Sequence, residues 1–372
     1  MGLTLVSVLD ESWPVASDPP VTPTAVTTST NDGGAVVSWY SPDDAEVTSY
    51  VITPYVAGVA QAPTTVVAGS ETTLADSYGG TARQASVSGL ANGTAHTFTV
   101  KASRAGVDSA ESAASGANTP LADLVFGDDF NGPAGAAPDP EWWVYDRCGY
   151  LAQNEVQWYK PDHCVLDGAG HLKVTAEHVP QTGTTYPSDG NRTITQPWTS
   201  GACQSNARTY EPTPGNTMVF EASFQVNPHA GSGYWPGFFW LEGHTYLDAW
   251  KTDPLQEGWD STGKAEIDIA EWFQSGSPDS YGNVSWAGTN EQHMVSASGL
   301  STSQHVYRCE WKPGVTVRFY RDNSLTYTST QQIPDAGAQF FLMLYMQMLG
   351  GGLTTTESAY VDYVRVYDRD LG

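Results

Sequence analysis

Apolar and polar residues alternate with a period of two along most of this chain, in short stretches. AVVSWY (35–40) alternates towards Trp39. SYVITPYV (49–56), ASVSGL (85–90) and TAHTFTVKASRA (94–105) follow. Period-two runs of this length, split by turn residues, are strands that bury one face. Roughly seven of them between residues 25 and 116 predict a β-sandwich. The pattern resumes after residue 124 with HLKVTAEH (171–178), TMVFEASFQV (217–226), AEIDIAEW (265–272), HVYRCEWK (305–312), VTVRFYRD (315–322), QFFLMLYMQ (339–347) and AYVDYVRVYD (359–368). No long stretch repeats at 3.6 residues, so the expectation is an all-β chain. Its second part, ~245 residues of short strands, predicts a double-sheet jelly roll. Residues 1–24 read as an extended N-terminal segment, 25–118 as the first domain, 119–123 as a linker and 124–372 as the second domain.

Composition narrows the partners. Lys and Arg number 16 against 41 Asp and Glu, a formal net charge of −25, while 13 Trp and 19 Tyr raise the aromatic share to 12%. So acidic a surface repels phosphate backbones and anionic lipid, which argues against nucleic acid and membrane partners. No run approaches the ~18–20 apolar residues that span a bilayer. Neutral glycans suit an aromatic-rich site, because sugar rings present apolar C–H faces. Cys148, Cys164, Cys203 and Cys309 include no CxxC pair, so zinc is disfavoured. Up to two disulfides in an oxidising compartment are expected; three pairings stay open, as do four buried free thiols. Met1–Leu9 has no basic n-region and runs into Asp10 and Glu11, unlike a signal peptide. A trimmed leader, another export route and a place in a larger assembly such as a phage tail all stay open.

The sharpest chemical feature is Glu266-Ile267-Asp268-Ile269-Ala270-Glu271. In a regular strand Glu266 and Asp268 share a face and Glu271 points the other way. One β-bulge near Ile269–Ala270 would return Glu271 to that face. The two Glu Cα atoms would then lie roughly 13 Å apart at ~3.3 Å per residue. Side chains leaning together would bring the carboxyls to about 5–6 Å, the separation of retaining glycosidases. The competing readings are a solvated acidic face and a calcium cluster. Three carboxylates on one strand face repel each other, and calcium clusters favour loops carrying Gly and Asn rather than a strand between Ile residues.

With this motif, residues 124–370 resemble glycoside hydrolase family 16, the laminarinase-like group. The resemblance rests on the E-x-D-x-x-E set, FGDDFNGPAG (126–135), QNEVQWY (153–159), GYWPGFFWLEG (233–243), HVYRCEW (305–311) and VDYVRVYD (361–368), in family order. It implies a concanavalin-like jelly roll with a cleft across one sheet, and retaining endo-hydrolysis of β-glycans. Glu266 would be the nucleophile, Glu271 the general acid/base and Asp268 their electrostatic helper. Asn154, Trp235, Trp240, Trp272 and Trp286 would meet sugar; Trp272, following Glu271, faces the cleft only if the bulge extends. No cofactor is required. One structural calcium on the convex side is implied at Asp129 and Asp362, against an empty site or simple loop capping. The sequence departs from the family at Ala202, where Arg is usual, and at Ser285, where His is usual; Arg208 and His293 are candidate substitutes. Residues 25–118 resemble a fibronectin type III module through the Trp39 strand, the Tyr50 strand and LANGTAHTFTV (90–100), with His96 where the family has Tyr. Such modules are generally spacers.

The resulting expectation is an extracellular, monomeric hydrolase of neutral β-1,3 or mixed β-1,3/1,4 glucan, or a component of a larger, virion-associated assembly. The alternatives are cleavage of a galactan or another cell-wall glycan, and a non-catalytic carbohydrate-binding or virion adhesion protein on the same fold.

Overall fold

The structure is a computed structural model. It describes residues 18–42, 46–151, 154–226, 234–235, 237–243, 247–252, 266–272, 280–286, 290–331, 333–335, 337–349 and 356–372. The described chain is nearly all β, as the alternation predicts; its one α-helix among the described residues is the single turn Ala249–Thr252.

The first part is a two-sheet sandwich. Thr24–Asn31, Gly34–Tyr40, Thr81–Ser88 and Thr72–Ala75 pair in that order, and Ser49–Val56 and Thr97–Arg104 form the centre of the facing sheet. The alternating positions fill its core: Trp39 packs on Tyr50 at 5.1 Å, beside Ile52, Phe98 and Val100. After the second sheet, Ser109, Ser112 and Ser115 run along the edge of the 97–104 strand. Each gives its amide to a carbonyl of that strand, at Ala102, Val100 and Phe98, and each hydroxyl accepts the same residue's N–H at 3.0 Å. Six residues thus cover the length of four strand residues, about 2.2 Å per residue if the strand rises ~3.3 Å. This crimped segment closes an open sheet edge. His96 bridges Asn118 through the backbone, and its ring meets the Thr94 carbonyl.

Hydrogen bonds join the two parts. Asn118 bonds back to Thr28 and forward to the Asp129 amide, and Thr30 pairs with Gly127, so one sheet runs through both. A second contact joins the Thr72–Ala75/Thr81–Ser88 hairpin to the second part. Gln84 bonds Glu141, Ser77 Oγ accepts the Val144 amide, and Asn206 donates to the Ala75 carbonyl.

In the second part, Leu172–Glu177, Glu357–Arg369, Thr217–Val226, His305–Lys312, Thr316–Arg321 and Ser324–Ser329 belong to one sheet. The other has seven strands in the order Trp142–Val144, Ala202–Ser205, Phe340–Tyr345, Gly237–Gly243, Glu266–Glu271, Ser280–Trp286, Asn290–Ser296. Phe340–Tyr345 shows how the pleat sorts residues. Phe340, Leu342 and Leu344 enter the core between the sheets, while Phe341, Met343 and Tyr345 join a separate aromatic cluster on the opposite face. That opposite face carries the candidate site.

Candidate active site

The expected bulge is present. Asp268 lies opposite Val284 and Glu271 opposite Gly282, so three steps on one strand match two on its neighbour. Ile267, Ile269, Ala270 and Trp272 all enter the core between the sheets. Two consecutive inward residues, Ile269 and Ala270, require the extra residue, and it leaves Glu266, Asp268 and Glu271 on the outer face. A bulge also removes a carbonyl from the ladder. The side-chain amide of buried Asn283 donates to Ile269 O at 2.6 Å, and Thr326 holds Asn283 from behind at 3.1 Å.

Asp268 is 4% exposed, and Glu266 and Glu271 are half-buried. Burial pushes Glu266 up to about 7, against a hydrogen bond with Asp268 that lowers it. These two carboxyls form a hydrogen-bonded pair.

Trp240 sits opposite Asp268 in the register and belongs to the outer aromatic cluster. Its ring meets Tyr345 edge-on at 4.8 Å, and its buried indole N–H has no acceptor among the described residues. Tyr345 donates to Glu155 at 2.7 Å. Glu155 is buried, and its carboxylate also accepts from Gln157, Tyr159 and the Tyr150 amide. Arg147 stacks on Tyr145 at 4.1 Å, in the same cluster as Tyr159. The sequence reading missed this Arg–Glu–Tyr network behind Trp240. The signal for part of it was in QNEVQWY, where Glu155, Gln157 and Tyr159 alternate onto one face.

The remaining expected residues divide. Trp272 is 1% exposed, packed against Phe224, Tyr281 and Tyr307. It fills the core and does not reach sugar, because the bulge ends at Glu271 and normal alternation resumes. The backbone sets Trp286 opposite Glu266 and Trp235 opposite Gln347; their side chains lie outside the described residues. Asn154 is exposed in the left-handed region, one residue before Glu155. Ala202 is buried in the aromatic cluster. Neither proposed substitute stands on the outer face. Arg208 pairs with Glu141 at 3.1 Å, beside Gln84 of the first part, and His293, opposite Asn283, stacks on Tyr327 at 4.6 Å.

The calcium expectation does not fit these residues. Asp129 is engaged by Arg365 at 3.0 Å and by the Thr119 amide at 3.1 Å, while Asp362 is exposed on the bulged strand 357–369. Among the described residues, no group of three or more His, Cys, Asp or Glu side chains is placed to hold a metal ion.

No family model and no curated protein matches the chain. Solved structures do. The chain is similar to an endo-1,3-β-glucanase from Streptomyces sioyaensis (24% identity, 67% of this chain and 98% of that one, TM-score 0.52). It is similar to an endo-β-1,3-glucanase from Pyrococcus furiosus (21%, 66% and 94%, 0.51) and to LamAcat from Zobellia galactanivorans (23%, 66% and 98%, 0.50). At these identities the likeness establishes the shared jelly-roll fold.

Proposed function

We propose that the chain is a retaining glycoside hydrolase of family 16 type that cleaves β-1,3 or mixed β-1,3/1,4 glucan within the chain. The observation that carries this reading is the bulge at 268–271, which sets Glu266, Asp268 and Glu271 on one face beside Trp240. Ionised Glu266 attacks the anomeric carbon, while the Glu271 carboxyl protonates the departing glycosidic oxygen. Glu271, now a carboxylate, then takes a proton from water, which displaces Glu266 with overall retention. Asp268, hydrogen-bonded to Glu266, steadies that carboxylate as it leaves. The activities named for the similar solved structures favour β-1,3-linked glucan as substrate. A neutral polysaccharide outside the cell suits the acidic surface, and no helix among the described residues is long and apolar enough to cross a membrane. In the first part, the two-sheet topology and the Trp39–Tyr50 core support a fibronectin type III-like module.

A polysaccharide panel with reducing-end and anomer analysis tests the reading. Laminarin-type glucan should yield β-configured new ends, and Glu266→Gln should bind glucan without cutting it. Wild-type protein that binds glucans yet cuts none of the panel would replace this reading with a lectin.

A further inference from the structure

All four cysteines are buried free thiols, but they are not equivalent. We infer that Cys164 and Cys203 form one inter-sheet disulfide when the protein matures under oxidising conditions, while Cys148 and Cys309 stay reduced.

The argument starts at Gly201. The chain leaves one sheet at Trp198–Ser200 and enters the other at Ala202–Ser205, so Gly201 is the corner between them. This corner is tight: a methyl at Gly201 would collide with the His163 carbonyl and press on Val174. Val174 is the register partner of Cys164. The residue before Cys164 therefore touches the corner two residues before Cys203, and both cysteines point into the core between the sheets. Their thiols are neighbours there, each fully buried; burial first, and then the Cys164 thiol, hold the Cys203 thiol well above its ordinary range. Alternation explains the meeting, since Cys164 and Leu166 on one strand, and Cys203 on the other, are the inward positions.

The other two thiols have different neighbours. Cys148 lies in a separate cluster with Trp158 and Tyr186, and accepts from the Gln196 amide at 3.6 Å. Cys309 is on a central strand between Phe220 and Phe319. Of the three ways to pair four cysteines, this geometry favours none that uses both bridges, and only one single bridge.

The chemistry is thiol–disulfide exchange with an external disulfide. One cysteine thiolate attacks it and releases one thiol; the second cysteine then displaces the other, giving the protein disulfide and two reduced thiols. Because both sulfurs are sealed in the core, exchange belongs to the folding chain rather than to the finished fold.

Full-length protein refolded with reduced and oxidised glutathione, and in parallel with reductant alone, provides the test. Before alkylation, the intact chain of the first sample should be about 2 Da lighter than a four-thiol chain, from two hydrogens lost; denaturation in iodoacetamide and proteolysis then locate the link. Sequenced peptides should link Cys164 to Cys203, with Cys148 and Cys309 alkylated. The linked form should melt several degrees higher, and Cys164→Ala/Cys203→Ala should erase the difference between the two samples. Complete alkylation of Cys164 and Cys203 in the oxidised sample, or any other linkage, overturns the inference. The readouts are independent of glucan cleavage.

Discussion

At the scale of single residues, the chemistry turns on Glu266. A carboxyl ordinarily near 4.5 is pushed up to about 7 by burial, and its bond with Asp268 opposes that rise. A nucleophile must be ionised, so kcat/KM should fall as pH drops through about 7, not through the ordinary carboxylate range. Asp268→Ala removes the opposing bond and should move this limb to higher pH. Asp268→Asn, whose amide can donate the same bond, should leave it nearer the wild-type position. An acid limb near 4.5 in the wild type would remove Glu266 from the nucleophile's role. Glu266→Gln should lower kcat by at least about 10³-fold with an unchanged melting temperature.

At the scale of elements, the bulge decides whether three carboxylates act together, and Asn283 holds the bulge. Asn283→Ala leaves the Ile269 carbonyl buried without its donor, a loss of about 1–3 kcal/mol. Denaturant unfolding should register that loss, and turnover should fall more than glucan binding, since Glu271 loses its aim while Trp240 keeps its partners. Equal turnover with the expected loss of stability would show that the bulge holds itself without Asn283. The bulge was legible from sequence because Glu-x-Asp-x-x-Glu breaks a period of two by one residue. Trp272, expected to meet sugar, is instead in the core, where the same count puts the residue after Glu271. The network of Arg147, Glu155, Tyr159 and Tyr345 was legible only in its Glu155–Tyr159 part. Arg147, Glu155 and Tyr159 are close in sequence, but Tyr345 comes from a strand far down the chain, and nothing local says that it meets them beside Trp240. The serine segment at 109–115 was hidden for another reason: its period of three matches neither a strand nor a helix. The calcium site failed because a single cation, Arg365, occupies Asp129, and pair charges of this kind cannot be read from spacing.

At the scale of the whole molecule, the junction between the two parts is a titratable interface. Asp128 and Asp139 are buried beside it and beside each other, pushed up to about 8 and about 7 by burial and like charge. Asp139 faces Thr27 of the first part, and Glu141, held by Gln84 and Arg208, adds its charge nearby. Unfolded, each aspartate would titrate near its ordinary 3.8. Between about pH 4 and their raised values the folded chain therefore binds more protons than the unfolded one. Their contribution is whole below about pH 4 and is lost as pH rises through 7 to 8, by up to about 1.4 kcal/mol per pH unit for each group. Asp139→Asn carries no charge to lose and can keep the bond that Asp139 accepts from the Glu141 amide. Its stability relative to wild type should climb from about pH 4 to about 7 and then level off; a flat difference would mean that Asp139 is already ionised in the fold. Removing residues 1–118 should also lower the melting temperature at pH 5, because it strips Thr30 from Gly127 and uncovers the Val144 edge that Ser77 covers. An equally stable truncation would restore the spacer reading, since the shared sheet would then contribute nothing to the second part.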